Sequence, residues 1–513
     1  MKITIAQLNT VSGDIEGNLK KALRVLSEFG NRSDLIVFSE LFTPPTSFGI
    51  SFKHVQSAVH KLLEISKEYP LAALLLKVPI THEKGQAFDK KSSILLMHHG
   101  KFLNAREKKS SDKNKTLTSE CLDFSSVNTI IPFKGYSLNV FDGEDLLSFE
   151  KLKSREKKNS LFIGIAEFLF NVKEMNSPRT LIQKYAEEYA APFILVNRAG
   201  AEDGSVFDGG SICVNKKGEV VSAFPFFEEH AETIDITRAA PPKRLLPREK
   251  IAAVYDALVA GTRDYVKKNG FSKVIMGLSG GIDSAVTCVL AKEAFGAKNV
   301  LTLALPSKYS SPESEAYARR LAKSLNIRIE TVNISDIFDS YERTLKTFLK
   351  TEKNGDVEIY LQNIQARTRG NILMAFSNKL GYIVLATGNK SELLTGYCTL
   401  YGDMAGGFAP LADATKTMVY ELAEYINRQD EIIPEEIIKR SPTAELSPNQ
   451  TDQDTLPPYD TLDKILCYFE EGYSCEEIEK KNFDIKTVRW VQQRVRNSGY
   501  KIEQASLCVK LSI

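Results

Sequence analysis

Residues 273–295 read KVIMGLSGGIDSAVTCVLAKEAF, and this run decides how the second half of the chain is organised. Val274-Ile-Met276 is an apolar strand signal, Gly277-Leu-Ser-Gly-Gly-Ile-Asp-Ser284 a glycine-rich turn, and the apolar stretch from about Ala285 a helix. In that order the parts make a phosphate cradle over residues Gly277, Leu278, Ser279, Gly280, Gly281, Ile282, Asp283 and Ser284. Gly280 and Gly281 let the backbone turn its N–H groups inward, Ser279 and Ser284 add hydroxyls, and the helix N-terminus adds its dipole. Asp283 would repel phosphate unless a cation intervened, so its expected role is to hold Mg²⁺ against a pyrophosphate. The loop does not end in Gly-Lys-Ser or Gly-Lys-Thr, which argues against a Walker A loop.

Around this run the same rhythm continues. Strand then helix recurs in VLTLALP before SPESEAYARRLAKSL, in RIETVNI, and in YIVLATGNKS, so a parallel, mostly buried sheet is expected. Residues 2–237 alternate in the same way, through KITIAQL, DLIVFSE, LAALLLKVPI, SILLMHHG, LFIGIAEF and FILVNRAG, which implies a second layered α/β unit. A chain of 513 residues exceeds the roughly 250 to 300 that one core serves. The proline-rich, charged segment after Thr237 is the natural divide, giving a first domain over 1–238, a linker over 239–250 and a second domain over 251–513.

Composition narrows the partners. With 43% apolar residues, 26% charged residues and a formal net charge of +2, the chain carries no field that calls for nucleic acid or an anionic membrane, and small molecules are expected instead. Seven scattered cysteines without metal-ligand spacing suit a reducing, cytoplasmic setting. No apolar run reaches the roughly 18 residues of a membrane span, and the N-terminus does not read as a signal peptide.

The loop resembles that of the ATP pyrophosphatases, which cleave ATP between the α and β phosphates to adenylate a substrate. Downstream, Gln362-Asn-Ile-Gln-Ala-Arg-Thr-Arg-Gly370, Ala386-Thr-Gly-Asn-Lys-Ser-Glu392 and Gly396-Tyr-Cys-Thr-Leu-Tyr-Gly-Asp-Met-Ala-Gly-Gly407 are similar to NAD synthetase over nearly all of residues 250–500. That resemblance implies an adenine nucleotide α-hydrolase-like fold, with ATP and deamido-NAD as substrates and Mg²⁺ as the metal. It assigns ATP contacts to Thr387, Lys416 and Thr443, and dinucleotide contacts to Asn363, Arg367, Glu392, Asp403 and Lys501. Asp283 and Glu392 would hold the metal, and Lys416 would steady charge on the phosphates. Asn363 and Arg367 stand four apart in a helical pattern and so share a face, which would present both to the dinucleotide or leave both in solvent. Ile502 and Glu503 replace the basic residues that usually follow the lysine matched by Lys501, so a surface lysine is an equal reading there.

Glutamine-dependent members of that family carry a nitrilase-like α/β sandwich ahead of the synthetase, with a Glu, Lys and Cys triad that frees ammonia from glutamine. Here Glu40, in DLIVFSE, and Lys108, in GKFLNAREK, fall at the first two positions. The nucleophile strand, whose family pattern is Cys-Glu-Asp-Ile-Trp, reads Gly143-Glu-Asp-Leu-Leu147. Glycine cannot form a thioester, so glutamine hydrolysis is expected to be lost and Glu40 and Lys108 to remain as a buried pair. Shifting the register to Phe162-Ile-Gly-Ile-Ala-Glu167 offers Ala166, again without a thiol, and Glu167-Phe-Leu-Phe170 replaces a Ser-Pro-Phe near the glutamine site. Cys121 and Cys213 are the other thiols considered as substitutes.

The expected enzyme is therefore an NAD synthetase fed by free ammonia or by a separate glutaminase. Its first domain would be kept for assembly or as part of an ammonia path, and the family implies a homo-oligomer, a dimer or larger. Two other readings stand beside it: another amidating pyrophosphatase such as GMP synthetase, and a nucleotide-binding regulatory protein that has lost synthesis.

Overall fold

The computed structural model describes residues 1–42, 52–81, 88–104, 106–107, 122–123, 130–147, 159–174, 176–237, 249–349 and 358–511. They form two units: residues 1–202 with 206–248, and residues 203–205 with 249–513.

The first unit is built on two six-stranded sheets. Strands β1 (Lys2–Gln7), β2 (Leu35–Phe38), β3 (Ala73–Thr81), β4 (Phe88–His98) and β5 (Lys101–Phe102) lie side by side in that order, and β16 (His230–Asp235) closes the edge beside β1. The second sheet runs β15 (Val220–Ala223), β14 (Ile212–Val214), β11 (Phe193–Asn197), β10 (Ser160–Ala166), β9 (Tyr136–Asp142) and β8 (Ile130–Phe133). Two short ribbons, β6 (Arg106–Glu107) with β7 (Leu122–Asp123) and β12 (Ala199–Glu202) with β13 (Ser205–Asp208), complete the strands.

Side chains alternate across a strand, and both faces of these strands are apolar, so each sheet must be covered twice. Ile3, Ile5, Leu35, Val37, Leu138, Val140, Ile163 and Val196 fill the space between the sheets. Their neighbours Ile36, Phe38, Leu74 and Leu76 face outward onto the helices Ile15–Phe29 and Phe52–Ile65. On the far side, Phe141, Phe162, Phe193 and Leu195 meet the helix Ser177–Glu188, with the Phe162 and Phe193 rings stacked 4.4 Å apart. The result is the α-β-β-α sandwich of the nitrilase-like fold.

The second unit holds one parallel sheet in the order β19 (Arg328–Thr331), β18 (Val300–Ala304), β17 (Val274–Gly277), β20 (Ile383–Val384). The chain leaves β17 on one side, builds β18 and β19, and then crosses back to place β20 on the other. Such a reversal opens a crevice at the strand carboxyl ends, where parallel sheets bind ligands. The helix after β17 spans Ile282–Phe295, three residues earlier than the expected start, so Asp283 and Ser284 lie in its first turn. Past residue 440 the helices Tyr459–Glu470, Cys475–Glu479 and Ile485–Asn497 pack round a core of their own that includes Leu462, Ile465, Ile478, Val488 and Val491. No helix among the described residues is long and apolar enough to cross a membrane.

Candidate active site

The crevice at the carboxyl ends of β17, β18 and β20 opens into a cavity of about 610 Å³. All eight residues from Gly277 to Ser284 line it, together with Asn363, Thr387, Glu392, Asp403, Lys416, Thr443 and Lys501. Of the residues expected to bind nucleotide, Arg367 is the one left out. It is exposed, and its Nε donates to the Leu400 carbonyl at 3.2 Å. Arg369, two residues on, points inward instead and donates to the Leu305 carbonyl at 2.9 Å. A turn of 3.6 residues separates positions 367 and 369 by about 200° around the helix Ile359–Leu380, so only one of them can face the sheet.

The loop holds its own shape. Ser284 Oγ donates to the Gly281 carbonyl at 2.9 Å, and the Gly281 N–H donates to Ser279 Oγ at 3.2 Å. Gly280 has φ +82°, and a Cβ there would come within 2.2 Å of the Ser314 carbonyl oxygen. The helix N-terminus thus reaches the cavity without a side chain in the way.

Charge in the cavity centres on Lys416, which is 2% exposed. Its Nζ lies 2.6 Å from Asp283 Oδ2 and 3.2 Å from Glu392 Oε1. Burial alone would favour a neutral amine, but the two carboxylates outweigh it and hold the ammonium form. Burial pushes Glu392 up to about 8 against the pull of Lys416. Asn389 fixes the geometry from two sides. Its Nδ2 donates to Asp283 Oδ1 at 2.9 Å, while its Oδ1 caps the helix Lys390–Thr395 through the Glu392 N–H. Behind it, Asp463 accepts from the Thr417 N–H and from Ser391 Oγ, which in turn accepts from the Lys416 N–H.

Two oxygen donors that converge on one cation suit magnesium, which keeps several waters and takes its other ligands from substrate phosphates. Among the described residues no group of three or more His, Cys, Asp or Glu could cage a metal alone. Among the residues expected to meet the dinucleotide, Thr399 ties Asn363 to Asp403: its hydroxyl donates to Asn363 Oδ1 at 2.8 Å and its N–H to Asp403 Oδ1 at 2.7 Å. Lys501 Nζ donates to the Gly396 and Cys398 carbonyls at 2.7 and 2.6 Å. Thr443 spends its hydroxyl on the Gln450 carbonyl. Motif reading missed Arg369, Asn389, Arg440 and Asp452, all placed by the fold; Arg440 reaches Ser314 Oγ and Glu445 on the cavity wall.

The triad positions of the first unit are arranged differently. Glu40, just past β2, is 5% exposed and paired with Lys77 of β3 at 2.9 Å, and Lys77 also meets Asp142 at 2.8 Å. Glu40 is thus held by Lys77, a lysine the sequence did not single out; the expected pair of Glu40 with Lys108 involves a residue outside the described ones, as does Cys121. Burial raises Glu40 to about 7, helped by Glu167 and opposed by Lys77. Glu167 itself pairs with buried Arg198 at 3.1 Å. Gly143 follows β9 directly, where the neighbouring strand β10 ends in Ala166. A Cβ on Gly143 would stand 2.4 Å from the Ala166 Cβ. Cys213 is buried and its thiol pushed up to about 12 by burial, so it supplies no nucleophile.

Comparison with known proteins agrees with this division. Residues 254–505 match the NAD synthase family and residues 2–240 the carbon-nitrogen hydrolase family. Over its whole length the chain is 37% identical to the glutamine-dependent NAD(+) synthetase of Thermotoga maritima, covering 96% of it, and 34% identical to that of Aquifex aeolicus. The chain belongs to the glutamine-dependent NAD(+) synthetase family. A solved synthetase of this name from Acinetobacter baumannii, in complex with ADP, superposes with a TM-score of 0.74 at 31% identity, over 98% of this chain and 94% of that one. One from Cytophaga hutchinsonii shares the fold with a TM-score of 0.79 at 19% identity.

Two substitutions in this NAD synthetase family member test the geometry. Gly280→Ala should lower synthesis by roughly 100-fold, because the methyl group forces the loop off the phosphates; steady-state kinetics on folded protein would show it, and near-normal turnover would refute the close approach. Gly143→Cys should release no ammonia from glutamine and should cost about 1–3 kcal/mol through overpacking, read as a lower urea midpoint and a blank glutaminase assay.

Proposed function

We propose that this chain makes NAD from deamido-NAD, ATP and ammonia, and that its first domain no longer hydrolyses glutamine. The first half rests on the cluster of Asp283, Glu392 and Lys416 beside an intact phosphate loop. The second rests on one observation: Gly143 has neither a nucleophile nor room for one against Ala166.

The chemistry follows from what the residues can do. A carboxylate is a poor electrophile, and transfer of AMP to the nicotinate oxygen gives it a leaving group. The loop N–H groups and Ser279 hold the phosphates at the helix N-terminus. Magnesium bound by Asp283 and Glu392 would neutralise the departing pyrophosphate. Lys416, bonded to both carboxylates, stands ready to turn its ammonium toward phosphate oxygens when they arrive. At the far end Asn363, Asp403 and Lys501 line the place for the nicotinate half. Ammonia then displaces AMP, so this unit needs no covalent protein nucleophile.

With Glu40 held by Lys77, which also meets Asp142, and no thiol at position 143, nitrogen would come from free ammonium or from a separate glutaminase. A homo-oligomer fits the exposed dinucleotide side: Arg367 and Asp403 are open to solvent beside Tyr401, which is 66% exposed, and a second copy would cover them. The expected site of action is the cytoplasm, whose reducing conditions suit the scattered cysteines of the chain. A regulatory nucleotide binder is disfavoured because a binder would not need the paired metal carboxylates.

Purified protein with deamido-NAD, ATP and Mg²⁺ should form NAD with ammonium chloride and not with glutamine. Turnover with glutamine alone would overturn the loss of the glutaminase. Asp283→Ala should abolish pyrophosphate release while the protein stays folded by circular dichroism; retained release would remove the metal role.

A further inference from the structure

Five cationic side chains line the cavity of the second unit: Arg369, Lys416, Arg440, Arg494 and Lys501. Four of them are committed. Lys416 has Asp283 and Glu392, Arg440 has Glu445, and Arg369 and Lys501 donate to backbone carbonyls. Arg494, in the last turn of the helix Ile485–Asn497, is different. It is half-buried, its Nε is sealed from solvent without an acceptor, and among the described residues its guanidinium donates to no protein oxygen. An arginine at a helix end can turn back onto the free carbonyls there, but the Ser498 N–H takes those of Arg494 and Val495 at 3.0 and 3.3 Å. What holds the side chain is the Trp490 ring one turn earlier, with the guanidinium carbon 5.4 Å from its centroid. Stacking fixes the guanidinium plane and leaves its N–H groups free. A buried N–H without an acceptor is costly, and native structures rarely keep one without a reason.

The chemistry of the group limits what completes it. A guanidinium only donates and repels cations, so metal ions and ammonium are excluded. Its Nε–H and one Nη–H form a fork that matches two oxygens in one plane, the shape of a carboxylate. The triphosphate of ATP already has the phosphate loop and Lys416. The nicotinate carboxylate of deamido-NAD has no cation of its own so far, although Glu392 and Asp403 line the space it must enter. It is also the end of the dinucleotide that must reach the α-phosphate, whereas the dinucleotide's own pyrophosphate can stay in solvent. A sealed Nε suits the group that goes deepest.

We propose that Arg494 recognises the nicotinate carboxylate of deamido-NAD and so distinguishes the substrate acid from the product amide, an assignment that rests on the reading of deamido-NAD as the substrate. The two molecules share both nucleotides and both phosphates and differ at this one group. In the acid, two carboxylate oxygens accept from the guanidinium fork. Adenylation turns one of them into an ester and removes the charge, and the amide that follows is neutral with one acceptor oxygen in place of two. Arg494 therefore holds the acid before reaction and releases the product after it, an interaction of the ground state that shows in KM rather than in kcat.

Arg494→Met keeps an unbranched side chain over Trp490 and removes the fork. In the full-length protein the KM for deamido-NAD should rise about ten- to a hundredfold, the range of a charge-assisted pair, with the KM for ATP and kcat at saturation kept within about twofold. Calorimetry should show the Kd for deamido-NAD weakened by a similar factor and the Kd for NAD unchanged within about twofold, which also reports a folded variant. Arg494→Lys keeps the charge without the fork, should fall between the two, and carries the same test if the Met variant folds poorly. Equal weakening of deamido-NAD and NAD would place Arg494 on a group that both share and overturn the assignment, as would an unchanged KM for deamido-NAD in Arg494→Met. If the unmodified protein binds no deamido-NAD and forms no NAD from it, the parent reading fails, and this one with it.

Discussion

Lys416 carries its ammonium to the point where the phosphate loop and the loop after β20 each present a carboxylate. Without that cation, Asp283 and Glu392 would repel one another in a poorly solvated space, and two segments more than a hundred residues apart would have no reason to meet. The surrounding bonds serve the same point: Asn389 steers Asp283, and the Ser391 and Asp463 pair pins the start of the helix Lys416–Asn427. A buried ion pair of this kind adds little to stability by itself. Its value here is positional, since it holds ready the two groups that a divalent ion and a polyphosphate would otherwise have to gather.

The sheet supplies the setting for that interaction. Because β17 lies between β18 and β20, its carboxyl end is flanked by loops that arrive from opposite directions. The phosphate loop, the Thr387 to Asn389 turn and the Asn363 helix converge there without long excursions of the chain. In the first unit Glu40 just past β2, Lys77 in the middle of β3, and Asp142, Gly143 and Ala166 at the ends of β9 and β10 come together.

Much of this was legible in the residues. Strand periods and the glycine loop carry local information, because a tight turn before a helix leaves few choices of residue, and the sandwich and the parallel sheet both follow from them. Sites assembled over long separations were less legible. The pairing of positions 363 and 367 respected helical spacing, yet which face meets the sheet depends on tertiary packing, and Arg369 took the inward place. Lys77 offered one signal, a lone lysine inside the apolar run LAALLLKVPI, where a buried charge demands a counter-charge. Its partners could not be named until β3 was seen beside β2. Asp452 sat in a proline-rich stretch that reads as a connector, and nothing in its neighbours announces a buried carboxylate.

The contact between positions 143 and 166 bears on how this chain could change over time. A lost nucleophile is restored by one codon change as long as its cavity survives. Under the proposed loss of glutamine hydrolysis, the Ala166 methyl group and the ion pair of Glu40 with Lys77 would both have to give way before a thiol at position 143 could act. Packing would then act as a ratchet, and the synthetase would depend on nitrogen supplied from elsewhere.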